Sequence, residues 1–254
     1  MMTTISPTLA RGAARHRVGI GSVGILVLMV VLWELFSRST FVIPDPIETL
    51  GTLGGNLRDP IYLENLRVTM IAVTCAFILG TLLGGLLGLL LGLSRLVRIM
   101  LEPLIIGFNG VPKIVLYPVI LPIFHLGYGS KIVMGILFAL FPVLINVAAG
   151  VRGMPDVYWK LGRSLNASRL QVLRDLVLPA IRRPLLTGVR LAVSLSTVGV
   201  VLSEFFATDK GLGRDVLRAY GAGDYSGMIA TVLLLIGISF VLSLLLWRLE
   251  RRVD

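Results

Sequence analysis

Charge and cysteine are both scarce in this sequence. Charged residues make up 15% of the 254 residues, whereas soluble globular chains carry about 25%. The one cysteine, Cys75, lies inside an apolar run, which excludes an intramolecular disulfide. The low charge, 56% hydrophobic residues and a mean hydropathy of +0.90 indicate a membrane protein and exclude an ordinary soluble domain.

Motifs for nucleotide, metal and acyl chemistry are also missing. None of the lysines follows a glycine, so the phosphate-binding loop G-x-x-x-x-G-K-[ST] is absent. The two histidines, His16 and His125, have no helix-spaced metal partners, and no G-x-S-x-G motif occurs. We therefore predict a chain that is not an enzyme and holds no metal and no cofactor, so that energy for any work comes from elsewhere.

Six apolar runs have roughly the 20 residues that cross about 30 Å of hydrocarbon. They cover 18–36, 68–94, 101–124, 131–150, 187–207 and 228–247. The third run contains Pro112, Pro118 and Pro122, so its bounds are the least certain. Because backbone groups in lipid need internal partners, we expect helices. The predicted fold class is an all-α membrane protein with about six transmembrane helices.

Basic residues set the predicted orientation. With the N-terminus inside, most of them fall in the inner segments, around 11–17, 95–98, 151–187 and 248–252. The positive-inside rule then places both termini in the cytoplasm. We predict a cytoplasmic tail at 1–17 and one transmembrane domain at 18–254, with a cytoplasmic loop at 151–186. The net charge of +10 is spread over loops, which argues against a nucleic-acid partner.

The second run has a glycine at every fourth residue. Gly80, Gly84, Gly88 and Gly92 share one helix face, where another backbone can approach closely. Packing between helices of the same chain is the favoured interpretation. A subunit interface is the alternative.

Several residues could line a solute pathway at membrane depth. Polar and ionisable residues there are costly and point to function. The candidates are Asn109, Pro112, Lys113, Asn146 and Glu204. Lys113 follows a helix-breaking proline, a combination that could line a cavity for an anion, although a lysine can also extend to the interface.

Segment 158–184, YWKLGRSLNASRLQVLRDLVLPAIRRP, is an unusually elaborate loop. Its apolar residues recur at near-helical spacing among arginines, and Asn166 tolerates a left-handed corner. The pattern predicts a short helix, a corner and a second helix that runs into Leu178-Pro179. Such a loop could dock a cytoplasmic partner, or it could lie on anionic lipid headgroups.

These residues resemble the permease subunits of bacterial ABC importers. Ala167-Ser168, Val177-Leu178-Pro179 and Pro184 match the order and spacing of that family's cytoplasmic loop. The segments 112–118, 127–131, 203–206 and 211–213 are similar to the subgroup that transports nitrate, sulfonates and taurine. Two positions depart from the family pattern: Lys160 stands in place of an acidic residue, and Asn166 in place of a glycine.

The resemblance implies a type I (MetI-like) permease in a bacterial plasma (inner) membrane. Two permease subunits, expected to be identical, would form the pathway above two ATPase subunits, and an extracytoplasmic binding protein would deliver a small solute, such as a sulfonate, taurine or nitrate. The residues implied in ATPase docking are Lys160, Leu161, Gly162, Leu165, Asn166, Ala167, Ser168, Arg169, Val172, Leu178 and Pro179. The alternative is a secondary transporter without an ATPase, for which Glu204 is the one plausible coupling acid.

Overall fold

The computed structural model describes residues 7–206 and 208–253, with side-chain surroundings for 21–206 and 208–248. All regular elements in these residues are helical, which confirms the all-α prediction. The longer helices are α1 (Pro7–Ser37), α2 (Pro46–Asn56), α3 (Pro60–Leu93), α4 (Arg95–Gly110), α5 (Tyr117–Phe124), α6 (Tyr128–Arg152), α7 (Asp156–Ser164), α10 (Arg182–Phe206), α11 (Leu212–Ala222) and α12 (Tyr225–Val253). Two three-residue helices, α8 (Arg169–Gln171) and α9 (Leu178–Ala180), lie between α7 and α10. Residues 1–6 of the predicted tail lie outside the described residues.

Helix α3 begins well before the apolar run that predicted it. The expected start was residue 68, but the helix starts at Pro60 behind the N-cap Asp59, whose side chain accepts from the Ile61 amide. A capping aspartate followed by a proline at the first helical turn is a strong start signal. The polar first turns extend the helix beyond its membrane-length part.

The third apolar run is broken, as its prolines indicated. Helix α4 ends at Gly110, a 3₁₀ turn covers Lys113–Leu116, and α5 follows. The two parts of this pair are bent by 95° relative to each other. By length and composition, α3, α6, α10 and α12 could each cross a membrane, and the bent pair raises that number to five. The described apolar part of α1, Gly21–Ser37, is shorter.

Helix α6 lies at the centre of the bundle, between α3 and α10. Each of the four spaced glycines of α3 faces α6 so closely that an added Cβ would overlap it. From Gly80 the nearest atom is the Ala139 Cβ at 2.7 Å, and from Gly84 it is the Leu140 carbonyl oxygen at 2.5 Å. Gly88 and Gly92 meet Val147 and Val151 in the same way. The glycines therefore lie in a contact between two helices of one chain.

The bundle has two distinct ends. At one end, α6 leads through the segment 153–181 into α10, and we call this the loop end. At the opposite end, here the α11 end, the connection before α2 lies beside the start of α12. The Phe41 and Tyr225 rings are 5.9 Å apart there, and the Ser226 hydroxyl donates to Glu48. Glu102 of α4 pairs with Arg152 of α6 toward the loop end.

Candidate functional site

The loop-end segment folds around a left-handed corner at Asn166. Helix α7 stops at Ser164, and Asn166 has a φ of 48°. The Asn166 amide donates to the Arg163 carbonyl, and the Ala167 amide to the Gly162 carbonyl, at 3.1 and 2.9 Å. This pair of hydrogen bonds is a Schellman motif, which needs a residue that accepts positive φ. The predicted corner is confirmed, with Asn166 as its left-handed residue.

The chain restarts as a helix directly after the corner. Ser168 accepts from the Gln171 amide, and the Gln171 side chain accepts from the Ser168 amide, which completes a capping box. A π-helical turn over Val172–Val177 then leads into α9, which carries Pro179. An added Cβ at Gly162 would lie 3.1 Å from Val172 and 3.3 Å from Leu176. A glycine at this position thus lets α7 pack onto the π-helical turn.

The segment is anchored in the core of the bundle. Val177 and Ile181 are almost completely buried, and they belong to one hydrophobic cluster with Val143 and Val147 of α6 and Ala192 of α10. Trp159, Val172 and Leu173 pack against the same cluster. Because packed interiors deform little, a displacement of this segment would be transmitted to α6 and α10.

The outer surface of the segment is apolar and basic. Leu165 and Leu170 are 69% and 72% exposed, and Leu161 is also exposed. Lys160, Arg163 and Arg169 lie exposed among them, and Leu178 and Pro179 are exposed farther along. A depression of about 580 Å³ is lined by Trp159, Gly162, Arg163, Asn166, Ala167 and Val172. We call the exposed part of 157–171 the loop surface. Exposed leucines beside positive charge suit a protein partner.

The pathway candidates do not form one cluster. Asn109, Pro112 and Lys113 lie together at the break between α4 and α5, where the Lys113 Nζ is 3.2 Å from the Asn109 Oδ1. That ammonium also lies 4.8 Å from the centre of the Phe141 ring on α6. Asn146 instead donates to the Pro142 carbonyl of its own helix at 2.8 Å. The lysine, its amide partner and the aromatic ring form a partly exposed cationic site.

Glu204 lies elsewhere, in a buried polar network at the α11 end. Its carboxylate accepts from the Thr69 hydroxyl at 3.0 Å and from the Gly213 amide at 2.9 Å. The Lys131 Nζ is 3.4 Å from Oε1 and also donates to the Lys210 carbonyl. The network joins α3, α6, α10 and the start of α11. In this conformation the carboxylate is enclosed by its own chain.

The network continues through Asn65 of α3. Its side chain donates to both carboxylate oxygens of Asp215, and its Oδ1 accepts from the Gly211 amide. Burial raises the pKa of Asp215 above its ordinary value, and the Asn65 hydrogen bond and the nearby Arg218 partly oppose this rise. A side chain at Gly211 or Gly213 would overlap Glu204. The two glycines of the Gly-Leu-Gly sequence at 211–213 therefore leave the space that the Glu204 side chain occupies.

Thr69, Asn65, Asp215 and Lys131 were not predicted as site residues from the sequence, although Lys131 ends the segment 127–131 that resembles the nitrate, sulfonate and taurine subgroup. The charges of two residues could have indicated this network. Lys131 is the first residue of one apolar run, and Glu204 lies near the end of another. A lysine and a glutamate that both fall at the ends of membrane-length runs are candidates for pairing, since an unpaired charge is costly there.

Comparison with known proteins decides the family. The model of the binding-protein-dependent transport system inner membrane component matches residues 80–254, more than half of the chain. The chain belongs to this family of ABC importer permeases. Among its relatives, the taurine transport system permease protein TauC of Escherichia coli (strain K12) is 29% identical over 244 residues, which cover 91% of this chain and 88% of that protein.

Another relative is named for a different substrate. The riboflavin transport system permease protein RibX of Chloroflexus aurantiacus is 30% identical, over 89% of this chain and 86% of that protein. The fold matches a permease chain of an inward-facing MetNI methionine ABC transporter structure, with a TM-score of 0.70 and 17% identity, over 76% of this chain and 96% of that one. The chain is therefore a multi-pass membrane permease of the MetI-like fold.

Proposed function

We propose that this permease forms the solute pathway of an ATP-driven importer. Two copies would stand in a bacterial inner membrane with the loop surface in the cytoplasm, and each copy would bind one ATPase subunit there. An extracytoplasmic binding protein would deliver solute at the α11 end. The observation that carries the proposal is the loop surface, because it is exposed to a partner and anchored in the packed core at the same time.

The mechanism follows from that anchoring. Closure of an ATPase pair would move two loop surfaces toward each other. Since Val177 and Ile181 are packed against α6 and α10, both helices would move with the segment. A rigid-body rotation of this kind is a common route for switching which side a cavity faces. ATP binding and hydrolysis in the ATPase subunits drive transport only if the loop surface binds these subunits with different affinity in the two conformations of the permease.

The secondary-transporter alternative depends on Glu204. A coupling acid has to exchange an ion with the pathway, but the Glu204 carboxylate is held by Lys131, Thr69 and the Gly213 amide. This enclosure argues against the alternative. Uptake into vesicles separates the two functions. Uptake that requires ATP inside the vesicles and persists after the proton gradient is collapsed would support the importer.

A small anion is the proposed solute class. The support is Lys113 at the break between α4 and α5, together with a relative named for taurine, a sulfonate. Within the described part of the chain, no carboxylate pairs with Lys113. A cation beside a broken helix is a recurrent site for anionic groups in transporters.

The docking proposal is tested by purification from membranes of the native host in mild detergent. An ATPase subunit is expected to co-purify with the wild type and to be lost in Leu165→Asp and Ala167→Asp, because a carboxylate would lie in the apolar contact. The matched control is Ile47→Asp, since Ile47 is 83% exposed at the α11 end. Recovery of the ATPase with Leu165→Asp at the wild-type level would show that the loop surface is not the docking site.

A further inference from the structure

Helix α2 lies at the edge of the bundle, at its α11 end. It packs against α12 and, more lightly, against α1. Both neighbours are peripheral, because the described part of α1 is exposed along most of its length and little of the candidate membrane span in α12 is buried. The outer surface of α2 is therefore continuous with the surface of the bundle that would face lipid.

Both ends of α2 lie near the first turns of α12. Close to its start, Glu48 accepts from the hydroxyl of Ser226, the second residue of α12. Beyond its end the chain enters α3, where the Tyr62 hydroxyl donates to Thr231. Ser226 and Thr231 are about 7.5 Å apart along α12, whereas α2 itself is about 16 Å long. The helix therefore runs mostly across the end of the bundle rather than along it.

The outward row of α2 is apolar. It consists, at the spacing i, i+3, i+4 and i+7, of Ile47, Leu50, Gly51 and Gly54. Ile47 and Leu50 are 83% and 61% exposed, and the space beside both glycines is open. Phe41, in the connection before the helix, is 86% exposed. The row thus offers apolar surface with no charge and no side chain that forms hydrogen bonds.

The row that faces the bundle is more polar. It holds Thr49, Thr52 and Asn56 beside Leu53, and all four are less exposed than the outward row. Thr49 is completely buried, and its hydroxyl donates to the Asp45 carbonyl. A helix on the surface of a water-soluble protein has the opposite arrangement, with its apolar row toward the core. The polarity of α2 therefore suits surroundings of lipid better than water.

Aromatic rings gather where α2 begins. The Trp33 indole N–H donates to the Pro44 carbonyl at 3.0 Å, and the Tyr225 ring is 5.9 Å from Phe41 and 6.4 Å from Tyr220. Tryptophan and tyrosine are enriched at the depth of the headgroups in a membrane. The cluster therefore indicates that the start of α2 lies at a membrane surface.

We propose that α2 is an interfacial helix whose apolar row, with Ile47 and Leu50, inserts into the lipid leaflet at the α11 end. Helices of this kind lie in the membrane plane and bury their apolar face by about 5–10 Å. The one charged residue of α2, Glu48, is bonded to Ser226 and lies outside the apolar row. The inserted helix would hold the connection between α1 and α3 at a fixed depth.

A protein partner fits the apolar row less well. Arginine and tyrosine are enriched among the anchors of protein interfaces and leucine is under-represented, yet the row has neither arginine nor tyrosine. Both are present on α11, where Arg214, Arg218 and Tyr220 are exposed. A protein that binds this end of the bundle is therefore expected to contact α11 and to leave the outward row of α2 to lipid.

The test is site-directed spin labelling of the purified permease in nanodiscs, in a Cys75→Ser background. Labels are attached through Ile47→Cys, Leu50→Cys and Leu53→Cys, with Arg214→Cys as the water reference and Val241→Cys, exposed on α12, as the lipid reference. Relaxation by oxygen, which concentrates in lipid, is compared with relaxation by a water-soluble nickel chelate. The labels at 47 and 50 should be accessible to oxygen and protected from nickel, and the label at 53 should be less accessible to both.

A further variant tests whether the apolar row holds the helix in the leaflet. With the label at 47, Leu50→Asp should raise the nickel accessibility, because a carboxylate is costly in hydrocarbon. An unchanged ratio of oxygen to nickel accessibility would show that the row does not anchor the helix.

Two results in the unsubstituted row would also overturn the proposal. Nickel accessibility at 47 and 50 equal to that of the Arg214→Cys label would place the row in water. Protection of both labels from oxygen and nickel alike would show that protein covers the row, and spin–spin broadening would then identify a second copy. The measurement needs neither an ATPase nor a binding protein, so its outcome is independent of the proposed importer function.

Discussion

The Lys131 ammonium and the Glu204 carboxylate form an ion pair of 3.4 Å, and both side chains are at most 1% exposed. Lys131 lies in the first turn of α6, and Glu204 lies near the end of α10. The pair therefore fixes these helices to each other at the α11 end, opposite the loop surface. Thr69 extends the link to α3, and the Gly213 amide extends it to α11.

Removal of one partner of this pair is expected to destabilise the permease strongly. Lys131→Met leaves a buried carboxylate without its charge partner, and Glu204→Met leaves a buried ammonium; either change costs about 3–5 kcal/mol. The double variant Lys131→Met/Glu204→Met should recover much of that loss, because no isolated charge remains. Thermal unfolding in detergent measures the three variants, and additive losses in the double variant would contradict a direct coupling.

The glycine face of α3 gives a second prediction with a control on the same helix. Gly84→Leu should separate α3 from α6, since an added Cβ would lie 2.5 Å from the Leu140 carbonyl oxygen. Overpacking of this kind costs about 1–3 kcal/mol. Gly85→Leu changes the adjacent residue, where no atom lies within 4 Å of the added Cβ. A similar melting temperature for both variants in the same detergent would mean that the close approach is unimportant for stability.

Local features were readable from the sequence because their causes are local. The apolar runs predicted the long helices, the prolines predicted a break in the third run, and Asn166 predicted the corner. The break occurs at Pro112, while Pro118 is accommodated in the first turn of α5 and Pro122 inside it. A proline in a first turn removes an amide that has no helical partner, so it does not break the helix.

Contacts between distant residues could not be predicted in the same way. Thr69 and Glu204 are 135 residues apart, and the sequence does not show which faces of α3 and α10 meet. Glu204 was a pathway candidate because an acid at membrane depth indicates function, and that rule does not separate an enclosed carboxylate from one that lines a cavity. The spacing of the glycines located a helix contact, but the identity of α6 as the partner came from the structure.

The corner of the loop segment gives a third prediction. Asn166→Gly should be tolerated, because glycine adopts a φ of 48° without penalty. Asn166→Val should lose about 1–2 kcal/mol or more of local stability, since a β-branched residue in the left-handed region is strained. Binding of the ATPase subunit by co-purification is the readout. Ser39→Val, a β-branched substitution of an exposed residue at the α11 end, is the control. Equal binding by Asn166→Val and the wild type would show that docking does not need the corner.

Lys113 provides the test of solute charge. If an anion passes the break between α4 and α5, Lys113→Met should lower kcat/KM for uptake by roughly tenfold or more, since a hydrogen bond to a charged group contributes about 1.5–3 kcal/mol. Lys113→Arg keeps the cation beside Phe141 and should retain most of the transport. The control is Lys210→Met, which removes an exposed ammonium at the α11 end, 3.6 Å from Glu64. Uptake of a labelled sulfonate, with the native binding protein and ATPase supplied, is the measurement.

Two outcomes would contradict a place for Lys113 in the pathway. An equal loss of uptake in Lys113→Met and Lys210→Met would point to long-range attraction of the solute. No loss of uptake in Lys113→Met would remove this lysine from the pathway.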